Sequence, residues 1–201
     1  MNLPSLSHEA PPRLAGASPD VAYALDGLAF DPRRIRSDYQ ELLRRAPAYA
    51  GLGTDPGLGL THRPGAPDPW RDAAIGQFNP VTGAKRYEEE EFSSFQDGCR
   101  DLVFFEIYRC VPFRVGRMRL ITLDPADIYH MHTDSTRKAH VAVETNEDCR
   151  LLFRTGQTYR VPLDGRVHLI DTRTPHSAYN AGEQSRVHLV LSVLDAAEVR
   201  R

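Results

Sequence analysis

The second half of this sequence predicts a mainly β fold, on three observations. From residue 111 onward, short β-branched and apolar segments recur at close spacing. Polar or glycine-containing turns separate them, and the glycine and proline that crowd the chain before residue 84 thin out. Strands of that length at that spacing make a sandwich or a barrel. The 201 residues suffice for one sizeable core. A composition of 41% hydrophobic and 26% charged residues excludes a wholly disordered chain. The net charge of -2 offers no basic field for nucleic acid or anionic membrane. No apolar run approaches the roughly 20 residues of a membrane helix. The first residues lack the basic start and apolar core of a secretory signal. The three cysteines (Cys99, Cys110, Cys149) are widely separated, without a CxxC. They read as the reduced thiols of a cytoplasmic protein, not as a disulfide frame or a zinc site.

Taken in order, residues 1–20 are rich in proline, serine and alanine without a period and predict a flexible arm. Asp31-Pro32 opens a helix, with Ile35, Tyr39, Leu42 and Leu43 on one stripe, that ends before Pro47. Residues 51–80 read as a long connection with one short strand over 58–62, of the kind that forms lids and binding loops. Residues 87–110 predict a second helix and then a strand, with the glutamate run Glu88–Glu91 as its solvated helix start. Strands follow over 117–123, 128–134, 140–144, 150–153, 158–161, 167–171 and 186–193. The expected organisation is the arm, a helical and loop region over 21–110 that supports the core and lines the substrate pocket, and the β core over 111–201.

The chemistry centres on His130-Met-His132-Thr-Asp134. Alternate residues of a strand share a face, so His130, His132 and Asp134 are expected to point the same way. His-x-Asp on one face supplies two adjacent ligands of a two-histidine, one-carboxylate facial triad, which leaves the opposite side of an octahedral metal open. A third histidine must come from elsewhere, and the candidates are His140, His168, His176 and His188. His176 is favoured, because it follows the strand ending at Asp171 and therefore sits at a strand mouth. Arg186 follows it by ten positions at the head of the last strand. A guanidinium there suits a two-pronged contact with a carboxylate co-substrate.

Residues 111–193 resemble the iron(II)- and 2-oxoglutarate-dependent oxygenases of the aspartyl/asparaginyl β-hydroxylase family, in the look of its L-proline cis-4-hydroxylase branch. The resembling segments are Arg117-Met-Arg-Leu-Ile-Thr-Leu-Asp-Pro, His132-Thr-Asp134, Lys138-Ala-His140-Val-Ala-Val-Glu-Thr-Asn146, Tyr159-Arg-Val-Pro-Leu-Asp-Gly165, His176-x-x-x-Asn180 and Arg186-Val-His-Leu-Val190. The resemblance implies a double-stranded β-helix, jelly-roll in form, with the N-terminal helices packed outside. It implies iron ligation by His132, Asp134 and His176, and a 2-oxoglutarate site at Arg186 with His140 and Lys138. Iron(II), 2-oxoglutarate and O2 are the implied cofactors, with ascorbate as a stimulant. The family commonly has Arg-x-His where this chain has Lys138-Ala-His140, so the arginine's role falls to Lys138 or Arg137 or is lost. Asp134 is present, which favours hydroxylation over halogenation.

The implied activity is hydroxylation of an unactivated C–H in a small amino acid or its derivative, with release of succinate and CO2. The partner is then a small molecule, with neither nucleic acid nor membrane involved. The competing expectations are hydroxylation of a residue within a peptide, a cupin-type metal dioxygenase without 2-oxoglutarate, and a metal-free carboxylate sensor. Candidate substrate contacts are His130, His62, Arg63, Arg117, Arg119 and Asn180. Asn180 and Tyr159 are also candidates to orient ligands. His168 and His188 read as packing residues. Arg117 and Arg119 share a sheet face, and the sequence leaves open whether each meets a substrate or a surface acid.

Overall fold

The computed structural model describes residues 21–46, 57–79 and 81–195; the arm expected over 1–20 lies outside them. The chain runs β1 (Ala22–Ala29), α1 (Pro32–Arg45), β2 (Leu58–Gly59), β3 (Thr61–His62), α2 (Pro69–Asp72), β4 (Ser94–Phe95), α3 (Val103–Cys110), β5 (Val115–Leu123), β6 (Arg137–Glu144), β7 (Cys149–Phe153), β8 (Thr158–Tyr159), β9 (Arg166–Ile170), β10 (His176–Asn180) and β11 (Arg186–Val193). A six-stranded sheet in the order β1-β9-β6-β11-β5-β2 and a three-stranded sheet β10-β7-β8 form the two layers of a jelly roll; β3 and β4 pair apart. Every pairing is antiparallel.

Period-2 alternation explains how the large sheet is covered on both faces. Met118 and Leu120 of β5, Ala139, Val141 and Val143 of β6, and Val187, Leu189 and Leu191 of β11 pack with Ile35 and Leu42 of α1 and Phe104 and Ile107 of α3. Ile35, Leu42, Phe104 and Ile107 have no exposed surface, and each such apolar side chain contributes roughly 1.5–3 kcal/mol on burial. The alternate residues on the other face are largely polar and are buried as well: Arg117, Lys138, His140, Arg186, His188 and Ser192. A smaller apolar cluster joins Leu123, Ala142 and Ile170 of this face to Cys149, Leu151, Phe153 and Ala178 of the small sheet. Polar side chains are usually exposed unless paired or functional, so this inner face is where chemistry is to be sought.

Helix α1 begins as expected, with the Asp31 carboxylate accepting from the Arg33 N–H at 2.9 Å. Four expectations for the first half are corrected. Ala22–Ala29 forms an edge strand on β9, with its register broken between Ala24 and Ala29. Gly27 lies within that break at φ +67, a conformation glycine adopts without strain. The short strand expected over 58–62 divides into β2 and β3. The strand expected before Cys110 is helix α3, whose first N–H, at Val103, is capped by the Asp38 carboxylate of α1 at 2.6 Å. That cap lies 65 residues away in sequence, so no local signal marks the helix start. Finally, only Glu88, Glu90 and Glu91 of the glutamate run are exposed; Glu89 is 3% exposed. Because β1 and β2 belong to the large sheet, the core does not begin at residue 111 as expected.

Candidate metal centre

Residues 128–134 run beside β10 with isolated bridges at Ile128↔Tyr179 and His132↔His176. Four steps along this segment therefore match three along β10, which is a one-residue bulge. The bulge corrects the expected alternation: Tyr129, His132 and Asp134 line the cavity, whereas His130 is exposed and does not. The β10 strand itself was not expected, and its first residue is His176. His132 and His176 exchange backbone hydrogen bonds of 2.9 Å in both directions. The Asp134 N–H donates to the Thr172 carbonyl at 2.9 Å. One ligand-capable atom from each of His132, Asp134 and His176 then falls within 4.8 Å of the others.

Both rings are oriented by the backbone. The Nδ1 of His132 lies 2.7 Å from the His130 carbonyl, and the Nδ1 of His176 lies 3.0 Å from the Thr174 carbonyl. A carbonyl only accepts, so each Nδ1 carries the proton and each Nε2 presents a lone pair. Those Nε2 atoms stand 3.8 Å and 3.9 Å from the two oxygens of Asp134. Two imidazole nitrogens and a carboxylate, all facing one point, suit a divalent first-row metal with open positions.

The triad opens onto a cavity of about 240 Å³ lined by Arg119, Ile121, Tyr129, Lys138, His140, Leu151, Val190 and Arg186 among others. Arg186 is 3% exposed. Its Nε is buried without a hydrogen-bond partner; burial weakens its hold on a proton, and the Cys149 thiol partly offsets this. A buried guanidinium with an unpartnered Nε and no carboxylate beside it among the described residues calls for an anion, so the residues present fit a carboxylate ligand beside a metal. His140 lies in the same wall, its basicity lowered well below the usual histidine value by burial and then by Arg186. Burial brings Arg119 down to about 10, still charged at neutral pH. Its Nη1 donates to the Ala74 carbonyl at 3.2 Å.

The remaining candidates are held by other partners. Lys138 reaches the cavity wall, but its ammonium is committed to Glu89, Ser192 and Thr136 at 3.0, 2.8 and 3.2 Å. Arg117 is turned away from the cavity onto the Glu89 carboxylate, the Ile75 carbonyl and Tyr87. Arg63 grips Asp72, and His62 bonds the Arg63 carbonyl; neither lines the cavity. Asn180 ties the Leu123 and Gln184 carbonyls together and is a structural residue. Tyr159 bonds His168 at 2.8 Å, not a triad residue. Sequence reading missed Glu89 and Tyr129. A register shift of one residue hides Tyr129, and nothing in a run of four glutamates singles out the second.

Residues 103–196 match the profile of the aspartyl/asparaginyl beta-hydroxylase family. Over this stretch, a little under half of the chain, the sequence is similar to that family. AviO1 from Streptomyces viridochromogenes shares the fold, aligning over 88% of this chain and 90% of its own at 17% identity and a TM-score of 0.50. An oxidoreductase of the 2OG-Fe(II) oxygenase family from Burkholderia pseudomallei aligns over 48% of this chain and 52% of its own, at 14% identity and a TM-score of 0.35. The chain thus spans about half the length of that protein. A Pseudomonas putida prolyl-4-hydroxylase aligns over 82% of each chain at 13% identity and a TM-score of 0.39. No curated protein sequence matches. Among the described residues no helix is long and apolar enough to cross a membrane.

Proposed function

We propose that the chain is an iron(II)- and 2-oxoglutarate-dependent dioxygenase that hydroxylates an unactivated C–H of a small amino acid or amino-acid derivative. The observation that carries this reading is the buried Arg186 guanidinium, with its Nε unpartnered, in the wall of the cavity onto which the His132–Asp134–His176 triad opens. In this reading the triad holds iron, Arg186 takes the distal carboxylate of 2-oxoglutarate and His140 takes the near one. A cupin-type centre without 2-oxoglutarate would leave Arg186 buried without a counter-ion, which disfavours it. When bound, iron(II) with 2-oxoglutarate and O2 supplies the oxidising power for C–H hydroxylation, with succinate and CO2 released.

The chain's own part is positioning. The carbonyls of His130 and Thr174 hold the two imidazoles with Nε2 forward. Ile121, Leu151, Ala178 and Val190 give the cavity apolar walls, while the His132 side chain stays exposed. In this reading Arg119, in the same lining, meets the carboxylate of an amino-acid substrate. One observation favours a peptide as a second reading. Ile128 and Met131, 66% and 42% exposed, lie one and two residues from the cavity residue Tyr129 and offer exposed apolar side chains to a longer chain.

The test is anaerobic titration of the apo-protein with iron(II) and then 2-oxoglutarate. A visible charge-transfer band that needs both components is expected, and His132→Ala, Asp134→Ala and His176→Ala should each abolish it. Iron binding without a 2-oxoglutarate-dependent band would overturn the reading in favour of a cupin-type centre. Absence of iron binding would leave a carboxylate sensor. Succinate release with free amino acids against short peptides then separates the two substrate classes.

A further inference from the structure

His188 does not line the cavity, yet it contacts His140, which does. On β11 it shares the inner face with Arg186 and Val190, and Val190 pairs with His140 of β6. His188 is 3% exposed and His140 6%. Their Nδ1 atoms are 3.3 Å apart, with the rings perpendicular at 88°. Burial, reinforced by Arg186, pushes both rings well below the usual histidine value, so each carries a single proton near neutral pH. An Nδ1···Nδ1 contact needs one proton between the two nitrogens. One ring is therefore the Nδ1–H form and the other the Nε2–H form.

Which ring is which follows from the far nitrogens. The Nε2 of His188 is buried with no hydrogen-bond partner. Were it protonated, a buried donor would be orphaned, and orphaned donors are rarer in folded proteins than under-used acceptors. His188 is accordingly the Nδ1–H form and donates to His140, whose own proton is forced onto Nε2. The Nε2 of His140 makes no hydrogen bond among the described residues and is not among the buried orphans. His140 lines the cavity and His188 does not.

We propose that His188 is a positioning residue that locks His140 as its Nε2–H tautomer, so that the cavity wall presents a fixed N–H donor to a carboxylate ligand. The identity of that ligand as 2-oxoglutarate rests on the function proposed above; the tautomer does not. Without the lock, His140 would be free to carry its proton on Nδ1 and present a lone pair, which repels a carboxylate.

The experiment is nitrogen-15 NMR of the imidazole rings in the metal-free protein near neutral pH. His140 is expected to show a protonated Nε2 and a bare Nδ1, and His188 the reverse. His188→Asn, whose side-chain amide places an N–H near the former Nδ1, should preserve the His140 pattern. His188→Phe should lose it and weaken 2-oxoglutarate binding by roughly tenfold, the scale on which residues that orient ligands act. A His140 ring with Nδ1 protonated in the wild type overturns the proposal, and the wild-type spectrum decides even if His188→Phe fails to fold. A locked Nε2–H that does not shift on adding 2-oxoglutarate upholds the tautomer and counts against the proposed function alone.

Discussion

Lys138 and His140 stand two residues apart on β6, on one face of one sheet, yet they belong to two differently finished regions. Around Lys138, the Glu89 carboxylate accepts from the Lys138 ammonium at 3.0 Å, from Arg117 at 3.0 and 3.1 Å, and from the Ser192 hydroxyl at 2.7 Å. Lys138 and Arg117 themselves reach further partners in Thr136, Ser192, Tyr87 and the Ile75 carbonyl. Around His140, the Nε of Arg186 is unpartnered and three ligand-capable groups face one another. Both regions bury charge to a few per cent exposure. The first is satisfied from within the chain and so is structural; the second leaves the Arg186 Nε without a partner among the described residues.

The sharpest way to break this contrast is to remove one charge from each region. Glu89→Ala leaves Arg117 and Lys138 buried without their counter-ion and is expected to cost about 3–5 kcal/mol of stability. For a domain of this size that is roughly 6–20 °C in the thermal midpoint. Arg186→Met removes a buried cation that has no carboxylate partner among the described residues, so the midpoint should hold or rise. The same variant should weaken 2-oxoglutarate binding by roughly 2–5 kcal/mol, about 30-fold to several thousand-fold. Thermal melts and co-substrate titrations on both variants check this. If both variants lose similar stability, the two regions are not different in kind.

Acid gives a smaller and more graded test. Burial alone would raise the Glu89 pKa, but Lys138 and Arg117 outweigh it and hold the carboxyl at about 2, down from 4.5. A depressed carboxylate contributes stability above its unfolded value and loses it as pH falls through its folded value. The contribution of Glu89 is therefore full at neutral pH and fades between about pH 4.5 and 2. Melts over that window should fall less steeply in Glu89→Gln than in the wild type. Parallel curves would mean that Glu89 is not ionised against Lys138 and Arg117.

The contrast also explains what could be read in advance. In β5, β6 and β11 the alternation of polar with apolar residues is a local property. Their strands, and the shared inner face of Lys138, His140, Arg186 and His188, follow from it directly. His132-Thr-Asp134 and His176 could be singled out by type and spacing, and the structure does bring them together. Features set by long-range contact were not legible. The Ala22–Ala29 strand is rich in alanine and forms because β9 offers an edge. Helix α3 starts where a carboxylate of α1 caps it. Glu89 is drawn in by cations 28 and 49 residues away in sequence. That approach also needs Gly116, where a Cβ would stand 2.4 Å from the Glu89 carbonyl oxygen.

His130 is where local reasoning and structure part most narrowly, and it gives the smallest expected effect. Strict alternation puts its side chain beside those of His132 and Asp134. The one-residue bulge against β10 turns it outward and gives its place to Tyr129. What His130 does supply is its main-chain carbonyl, which receives the Nδ1–H of His132 at 2.7 Å. Truncating the side chain leaves that carbonyl in place. His130→Ala should therefore change stability by less than about 0.5 kcal/mol and turnover by no more than about twofold, measured as succinate release beside the wild type. A loss beyond tenfold would mean that the side chain reaches the cavity after all, and the bulge with its exchange of Tyr129 for His130 would have to be abandoned.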